Sequence, residues 1–466
     1  MRTHFDLCII GSGSGNTILD ERFDDWQVAI VERGIYGGTC LNVGCIPTKM
    51  FVYPADLVTA TREANQLGVE AWVEDVRWVE IRDRVFGRID PISAGGLDYR
   101  KSLDNVSVFE GHGRFTGPKT LEVNGQTITA DRFVIAAGAR TAVPEIAGLD
   151  AVPYDTSDSI MRIDQVPDRL VIIGGGFIAL EMAHIFDSFG SNVTIVARGD
   201  RLGRAEDIEI SQRITDEMVD RVDVRLSSSV RSVDYTEASY GGTFQLELVG
   251  PEGEEVIEAD RVLVAAGRVP NGDQLGVEAA GVRLDRDGYV ITDDTMLTDA
   301  EGIWALGDVR SALQLKHVAN HEARIVQHNL LHPDSPRSVS EKVVPYGIFT
   351  HPQIGSVGLK EHEAVEHGIR HVTAVKEYGH TAYGWAMEDQ TSCAKLIGDP
   401  ETRLLLGAHI IGFEAAVLIQ QLVQGMVFGL TVDQMASEVM YPHPALSEVV
   451  ENALLELADA MDQARR

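Results

Sequence analysis

Two cysteines, Cys40 and Cys45, stand close together in Gly37-Gly-Thr-Cys-Leu-Asn-Val-Gly-Cys-Ile-Pro-Thr-Lys49, with four residues between them. At that spacing the thiols can meet within one loop or first helical turn, where a disulfide can form and break. A thiolate at a helix N-terminus has a lowered pKa, which makes it a useful nucleophile and leaving group. Gly37, Gly38 and Gly44 allow tight backbone approach to a flat ring, with Thr39 in the same turn. Two readings compete with redox chemistry. A lone pair with no nearby Cys or His set is a poor zinc site, so no metal is expected, and two adjacent free thiols is the other. Cys8 and Cys393 fall in predicted strands and read as small buried hydrophobes.

A reactive pair needs something to hold its partners, and the sequence on either side supplies it. Phe5-Asp-Leu-Cys-Ile-Ile-Gly-Ser-Gly-Ser-Gly-Asn16 is an apolar strand ending in glycines, followed by a second strand closing on Glu32. This is the layout of a βαβ dinucleotide site. Gly11 makes the tight turn, Gly13 admits a pyrophosphate, and the following helix N-terminus faces its charge. Glu32 stands where a carboxylate would hydrogen-bond ribose hydroxyls. Asn16 departs from the third glycine of the fingerprint.

The pattern recurs at Leu170-Val-Ile-Ile-Gly-Gly-Gly-Phe-Ile-Ala179, with Gly174, Gly176 and Ala179 in the fingerprint positions. Its second strand ends on Ala197-Arg198, with Arg204 shortly after, where an NAD site would place an acid. Two guanidiniums there suit a 2′-phosphate and hence NADPH; a solvated basic loop is the bland alternative. Phe133-Val-Ile-Ala-Ala-Gly138 and Val262-Leu-Val-Ala-Ala-Gly267-Arg268 look like one crossing device used twice. The strand Gly302-Ile-Trp-Ala-Leu-Gly307-Asp308 closes on an acid that could hold flavin polyol hydroxyls or cap a helix.

The expected fold is α/β, with two Rossmann-like dinucleotide-binding domains and a C-terminal α+β domain. Residues 1–150 and 268–337 form the first nucleotide unit, 151–267 the second, and 338–466 the third domain. The chain's 466 residues, 44% hydrophobic and 24% charged, can fill three such cores. A net charge of −31 argues against nucleic-acid or anionic-membrane partners. The apolar stretch from Leu404 to Leu430 is broken by His409, Glu414, Gln420, Gln421 and Gln424 and cannot span a bilayer. So few cysteines, and so few residues before the strand at Phe5, predict a cytoplasmic protein without a signal peptide.

Together the cysteine motif, both fingerprints, the Ala-Ala-Gly-Arg-Val-Pro-Asn271 segment and the Asp308 motif resemble the flavin-dependent pyridine nucleotide–disulfide oxidoreductases. The resemblance covers essentially the whole chain. It implies FAD at the first site, a nicotinamide at the second, and a C-terminal domain that makes a homodimer with shared active sites. It also implies roles. Cys45 is the flavin-facing thiol and Cys40 the exposed one that attacks the substrate disulfide. Lys49 pairs with Glu181 near the flavin. Phe177 takes the aromatic gate position, a packed core Phe being the competing view. Tyr441-Pro-His-Pro-Ala-Leu-Ser-Glu448 resembles the family's catalytic segment, making His443 of the partner subunit the acid–base and Glu448 its orienting carboxylate.

For the substrate, Asn16-Thr-Ile-Leu-Asp-Glu-Arg-Phe23 and the cysteine segment through Tyr53 resemble mycothione reductases most. These reduce the disulfide of mycothiol, a cysteinyl amino-sugar inositol important in cell redox homeostasis. An essentially uncharged disulfide also tolerates so acidic a surface better than glutathione disulfide does. Dihydrolipoamide dehydrogenase is the enzymatic alternative, disfavoured by Arg198 and Arg204. A mercuric reductase is expected to carry a vicinal cysteine pair near the C-terminus, and Glu451 to Arg466 has none. A flavoprotein binding module with vestigial chemistry is the remaining class, disfavoured by the intact Cys40, Cys45, His443 and Glu448.

Overall fold

The strand His4–Ile10 is apolar on both faces, as a parallel strand covered on both sides must be: Leu7, Cys8 and Ile9 are fully buried. In the computed structural model, which describes residues 2–237 and 242–466, it runs parallel between Val28–Glu32 and Gln126–Ile135. Ile9 lies level with Ile30 on one side and Val134 on the other. Val106–Glu110 extends this sheet at one edge, and an antiparallel meander of Gly113–Gly117 and Thr120–Val123 at the other. Far downstream, Ile303–Ala305 returns to pair in parallel with Gln126–Ile135.

The second parallel sheet orders Asp223–Arg225, Asn192–Val196, Arg169–Ile173 and Arg261–Val264. A three-stranded antiparallel sheet, from Ser229–Thr236 to Gly253–Ala259, packs beside it. Between the two units the short strands Ala139–Thr141 and Arg268–Pro270 pair with each other, antiparallel. The device that the sequence uses twice is thus one two-stranded crossing.

Six helices frame these sheets: α1 (Gly38–Asn42), α2 (Cys45–Glu63), α3 (Trp78–Ser102), α4 (Phe177–Ser188), α5 (Ile208–Arg221) and α6 (Lys316–Leu331). The C-terminal domain is a five-stranded antiparallel sheet from Pro345–Ile348 to Leu405–Ile411, packed against the helices Ala415–Phe428 and Ser447–Arg465. It docks on the second nucleotide unit through buried polar contacts. Lys395 Nζ reaches Asp207 Oδ1 at 2.8 Å and Glu361 Oε2 at 2.5 Å, and the Tyr346 and Ser356 hydroxyls donate to Glu206. Among the described residues no helix is long and apolar enough to cross a membrane.

One expected element is missing. After the first glycine turn the chain makes two short 3₁₀ turns, Gly15–Ile18 and Glu21–Phe23, instead of an α-helix. Asp20 stands extended between them and its side chain accepts from Arg22 N. Carbonyls that a helix would satisfy internally are taken by side chains: Arg100 Nη2 donates to Asn16 O and Leu19 O, and Gln327 Nε2 to Ile18 O. The close packing assigned to the third fingerprint glycine falls to Gly15 instead. A Cβ there would lie 2.8 Å from both Ile9 Cγ2 and Ala136 Cβ.

Candidate active site

Both cysteines open on one cavity of about 1050 Å³ between the two nucleotide units. Cys40 sits in α1 and Cys45 is the first residue of the 19-residue α2, so the break at Val43–Gly44 turns the two thiols toward each other. Both are free thiols, and Cys40 donates to Cys45. That hydrogen bond brings the Cys45 thiol down to about 7 against the opposing effect of burial, with Lys49 assisting. The Cys40 thiol moves upward, because it holds the shared proton beside the incipient Cys45 thiolate and is half-buried. The pair therefore loses its first proton near neutrality, from Cys45, at the positive end of α2.

One turn along α2, Lys49 Nζ reaches both oxygens of Glu181 at 2.6 and 2.7 Å. Glu181 is buried on α4 and accepts from Phe349 N as well, at 2.9 Å, while the Lys49 ammonium lies over the Phe349 ring. The expected pairing of these two residues is what the helices α2 and α4 make. Phe177, first residue of α4, is 47% exposed and lines the same cavity, so it is no core side chain.

The cavity extends along the first sheet. Gly11 has φ +105°, and a Cβ there would lie 2.2 Å from Ala136 O, so only glycine permits this turn. Gly13 and Gly38 approach backbone to backbone, a Cβ on Gly38 falling 2.6 Å from Gly13 Cα. Glu32 Oε2 accepts from Ser12 N and Ser12 Oγ at 2.9 and 2.7 Å, and Ser12 Oγ in turn accepts from Gly37 N. That serine ties the nucleotide turn to the cysteine loop. Thr39, Gly138, Arg268, Gly307 and Asp308 also line the cavity. Burial holds the Asp308 carboxyl above the ordinary carboxylate range, with Arg268 opposing it. A glycine-walled groove ending in two carboxylates, Glu32 and Asp308, fits a dinucleotide such as FAD.

The second turn repeats this geometry outside the cavity. Gly174 has φ +136°, and a Cβ would meet Ala265 O at 2.2 Å; Gly176 leads into α4 with open space around it. Gly267, at φ +123°, precedes the crossing strand. Arg198 is exposed and forms no ion pair among the described residues. Arg204 folds its Cδ over Gly199, next to Arg198, and is held only loosely by Asp200 at 3.9 Å. Both arginines thus lie just past the end of the second strand of this unit, Arg198 exposed and Arg204 against Gly199.

His443 lies elsewhere. Its Nδ1 meets Glu448 Oε1 at 2.5 Å and its side chain is 70% exposed, but neither residue lines this chain's cysteine cavity. Among the described residues no cluster of His, Cys, Asp or Glu could hold a metal ion. The sequence reading passed over Ser12, Ser14, Tyr36, Arg100 and Lys316. Tyr36 and Arg100 both donate to Asn16 Oδ1, and Lys316 donates to Ser14 Oγ. Ser12 and Ser14 stand between the glycines of the first turn, whereas Tyr36, Arg100 and Lys316 reach it from distant elements that no local pattern marks.

Comparison with known proteins agrees with this geometry. Residues 5–323 match the pyridine nucleotide-disulphide oxidoreductase family, and residues 344–454 its dimerisation domain. The chain is 47% identical to mycothione reductase of Mycobacterium tuberculosis, covering 97% of this chain and 99% of that protein. It is 33% identical to mercuric reductase of Staphylococcus aureus, over 97% of this chain and 82% of that one. Among solved structures it superposes on the HOCl-induced flavoprotein disulfide reductase RclA from Escherichia coli with a TM-score of 0.83 at 28% identity, over 97% and 99% of the chains. With its paired thiols in the cavity of the first nucleotide turn and a second such turn downstream, the chain belongs to the pyridine nucleotide-disulphide oxidoreductases, enzymes of FAD and a nicotinamide nucleotide whose C-terminal domain dimerises.

Proposed function

We propose that this enzyme reduces the disulfide of a low-molecular-weight thiol with NADPH, and that the disulfide is that of mycothiol. The observation that carries the reaction is the Cys40–Cys45 thiol pair at the head of α2, one member poised to ionise near neutrality. FAD, when bound in the glycine-walled groove, supplies the two-electron carrier between nucleotide and cysteines. Glu32 and Asp308 would hold its hydroxyls, and Lys49 with Glu181 forms the polar pair beside the thiols.

The remaining steps belong to the side chains. Two electrons and one proton, together the equivalent of one hydride, break the Cys40–Cys45 bond and leave a thiolate on Cys45 and a thiol on Cys40. Cys40, once deprotonated, attacks one sulfur of the substrate disulfide, forming a mixed disulfide and expelling the first thiolate. His443 of the partner subunit, its imidazole oriented by Glu448, gives that thiolate its proton. Cys45 then attacks Cys40 Sγ, restores the internal disulfide and releases the second thiolate, which takes its proton from solvent.

NADPH is favoured by Arg198 and Arg204 past the strand end, where an NAD site would place an acid; Arg198 has no ion pair among the described residues and Arg204 only a long one to Asp200 at 3.9 Å. Mycothiol disulfide is favoured by the 47% identity over nearly the full length of both chains. Dihydrolipoamide dehydrogenase remains the alternative. Residues 1–150 with 268–337, 151–267 and 338–466 serve as the FAD, NADPH and interface domains of this reading, in the cytoplasm. Steady-state rates with NADPH and with NADH, each against mycothiol, glutathione and lipoamide disulfides, test it. The NADPH–mycothiol disulfide pair should give the highest kcat/KM; an NAD–dihydrolipoamide preference would overturn the reading.

A further inference from the structure

Two lysines line the cysteine cavity, and only one of them is paired with a carboxylate. Lys49 is bonded to both oxygens of Glu181. Lys316 also lines the cavity, yet no carboxylate among the described residues lies within ion-pair distance of it. Its one hydrogen-bond partner is the Ser14 hydroxyl, at 2.8 Å, which itself donates to Asn320. In a chain of net charge −31 an unpaired cation inside a cavity is a feature to explain. So is its place: Lys316 is the first residue of α6, where the helix dipole disfavours a cation, and no acid in the first turn offsets it.

The contacts lead from Lys316 to Cys40. Ser14 follows Gly13, whose backbone touches that of Gly38, the first residue of α1, two positions before Cys40. We propose that Lys316 is an electrostatic positioning residue for Cys40, stabilising its thiolate for attack on the substrate disulfide. The inference rests on the redox reading of the cysteine pair. It addresses the step that the pair itself makes hardest. Once Cys45 carries the first negative charge, ionising Cys40 places a second beside it, and a neutralised Lys49–Glu181 pair offers little relief. The charged and titratable groups that bear on this site are Cys45 and Lys49 from α2, Glu181 from α4, Arg268 and Asp308 ahead of α6, Lys316 and His317 on α6, and, in the proposed dimer, His443 of the partner subunit with its carboxylate. Of these, Lys316 is the lysine without a carboxylate in ion-pair distance among the described residues; its field lowers Asp308, as that of Arg268 does, and acts on Cys40 in the required direction.

The test is the pH dependence of alkylation at Cys40. Flavin-loaded enzyme is reduced with NADPH and treated with iodoacetamide from pH 6 to 10, and the labelled cysteine is identified by peptide mapping. In Lys316→Met the Cys40 profile should move up by about one pH unit, which is about tenfold less alkylation near neutrality. Lys316→Arg should restore it. Flavin content and Tm are measured alongside. A Lys316→Met enzyme that loses flavin or Tm while its Cys40 profile stays in place overturns the proposal and leaves Lys316 a structural or cofactor-holding role. The wild-type arm separates this from the underlying reading. If NADPH does not raise alkylation of wild-type Cys40, the redox pair itself is refuted, and the role of Lys316 with it.

Discussion

At the scale of single residues, the two thiols are chemically unlike although they stand in one loop. Cys45 has the helix end, the hydrogen bond from Cys40 and the Lys49 ammonium; Cys40 has the proton. Cys40→Ser and Cys45→Ser should both abolish disulfide reduction yet differ in colour. In flavin-loaded Cys40→Ser the remaining thiolate faces the ring and should give a long-wavelength charge-transfer band. Cys45→Ser should give none, and the opposite assignment would exchange the two roles. The arginines make a second residue-scale prediction. Each charge-assisted contact to a phosphate is worth on the order of 1.5–3 kcal/mol. Neutralising either Arg198 or Arg204 should therefore raise KM for NADPH by about ten- to a hundredfold, and neutralising both by more, with little change in that for NADH. Equal losses with both nucleotides would show that these cations do not read the 2′-phosphate.

At the scale of elements, α2 and α4 form a ladder of polar pairs that starts at the chemistry. Lys49–Glu181 is its first rung. His184 Nε2 to Asp56 Oδ1 at 2.7 Å is the next, then Thr59 with Ser188 at 3.2 Å. Around His184 stand Asp56, Arg62 and Glu63 from α2, Asp187 from α4, Arg221 from α5 and His351 from the C-terminal domain. Burial holds the His184 imidazole below its usual 6.5, so the unfolded chain takes up a proton that the native state refuses. Stability from this group is present above about pH 6.5 and lost as pH falls through the lower native value. His184→Gln, which keeps a donor for Asp56 but cannot titrate, should flatten the fall of Tm between pH 6.5 and 5, leaving the share of buried His409, whose imidazole is lowered the same way. An unchanged slope would remove His184 from that account. This junction was invisible in the sequence, whereas Cys40, Cys45, Lys49 and both glycine turns were legible there. The difference is physical. A thiol pair or a glycine turn needs its residues at fixed local spacing, but His184, Asp56 and His351 meet only because three domains pack. The absent first helix failed for a related reason: Asp20 and the caps from Arg100 and Gln327 outweigh a βαβ pattern that is locally intact.

At the scale of the whole molecule, one chain holds the thiols, the nucleotide turns and a His–Glu pair, but not all in one place. His443 with Glu448 is built at the head of the last helix, exposed and outside the cavity that contains Cys40 and Cys45. Since the C-terminal domain is the dimerisation domain, a two-fold axis can bring the imidazole of one subunit to the thiols of the other. Each site in such a dimer draws thiols from one chain and the acid–base from its mate, and the monomer has no complete site. Subunit exchange distinguishes this arrangement from one within a chain. Inactive Cys40→Ser and His443→Ala enzymes are mixed, exchange is verified by mass-tagged heterodimers, and activity is assayed. A shared-site heterodimer carries one site with both lesions and one with neither, so activity should return to about half per heterodimer. If the subunits exchange and activity stays absent, His443 serves the thiols of its own chain or is not their acid–base.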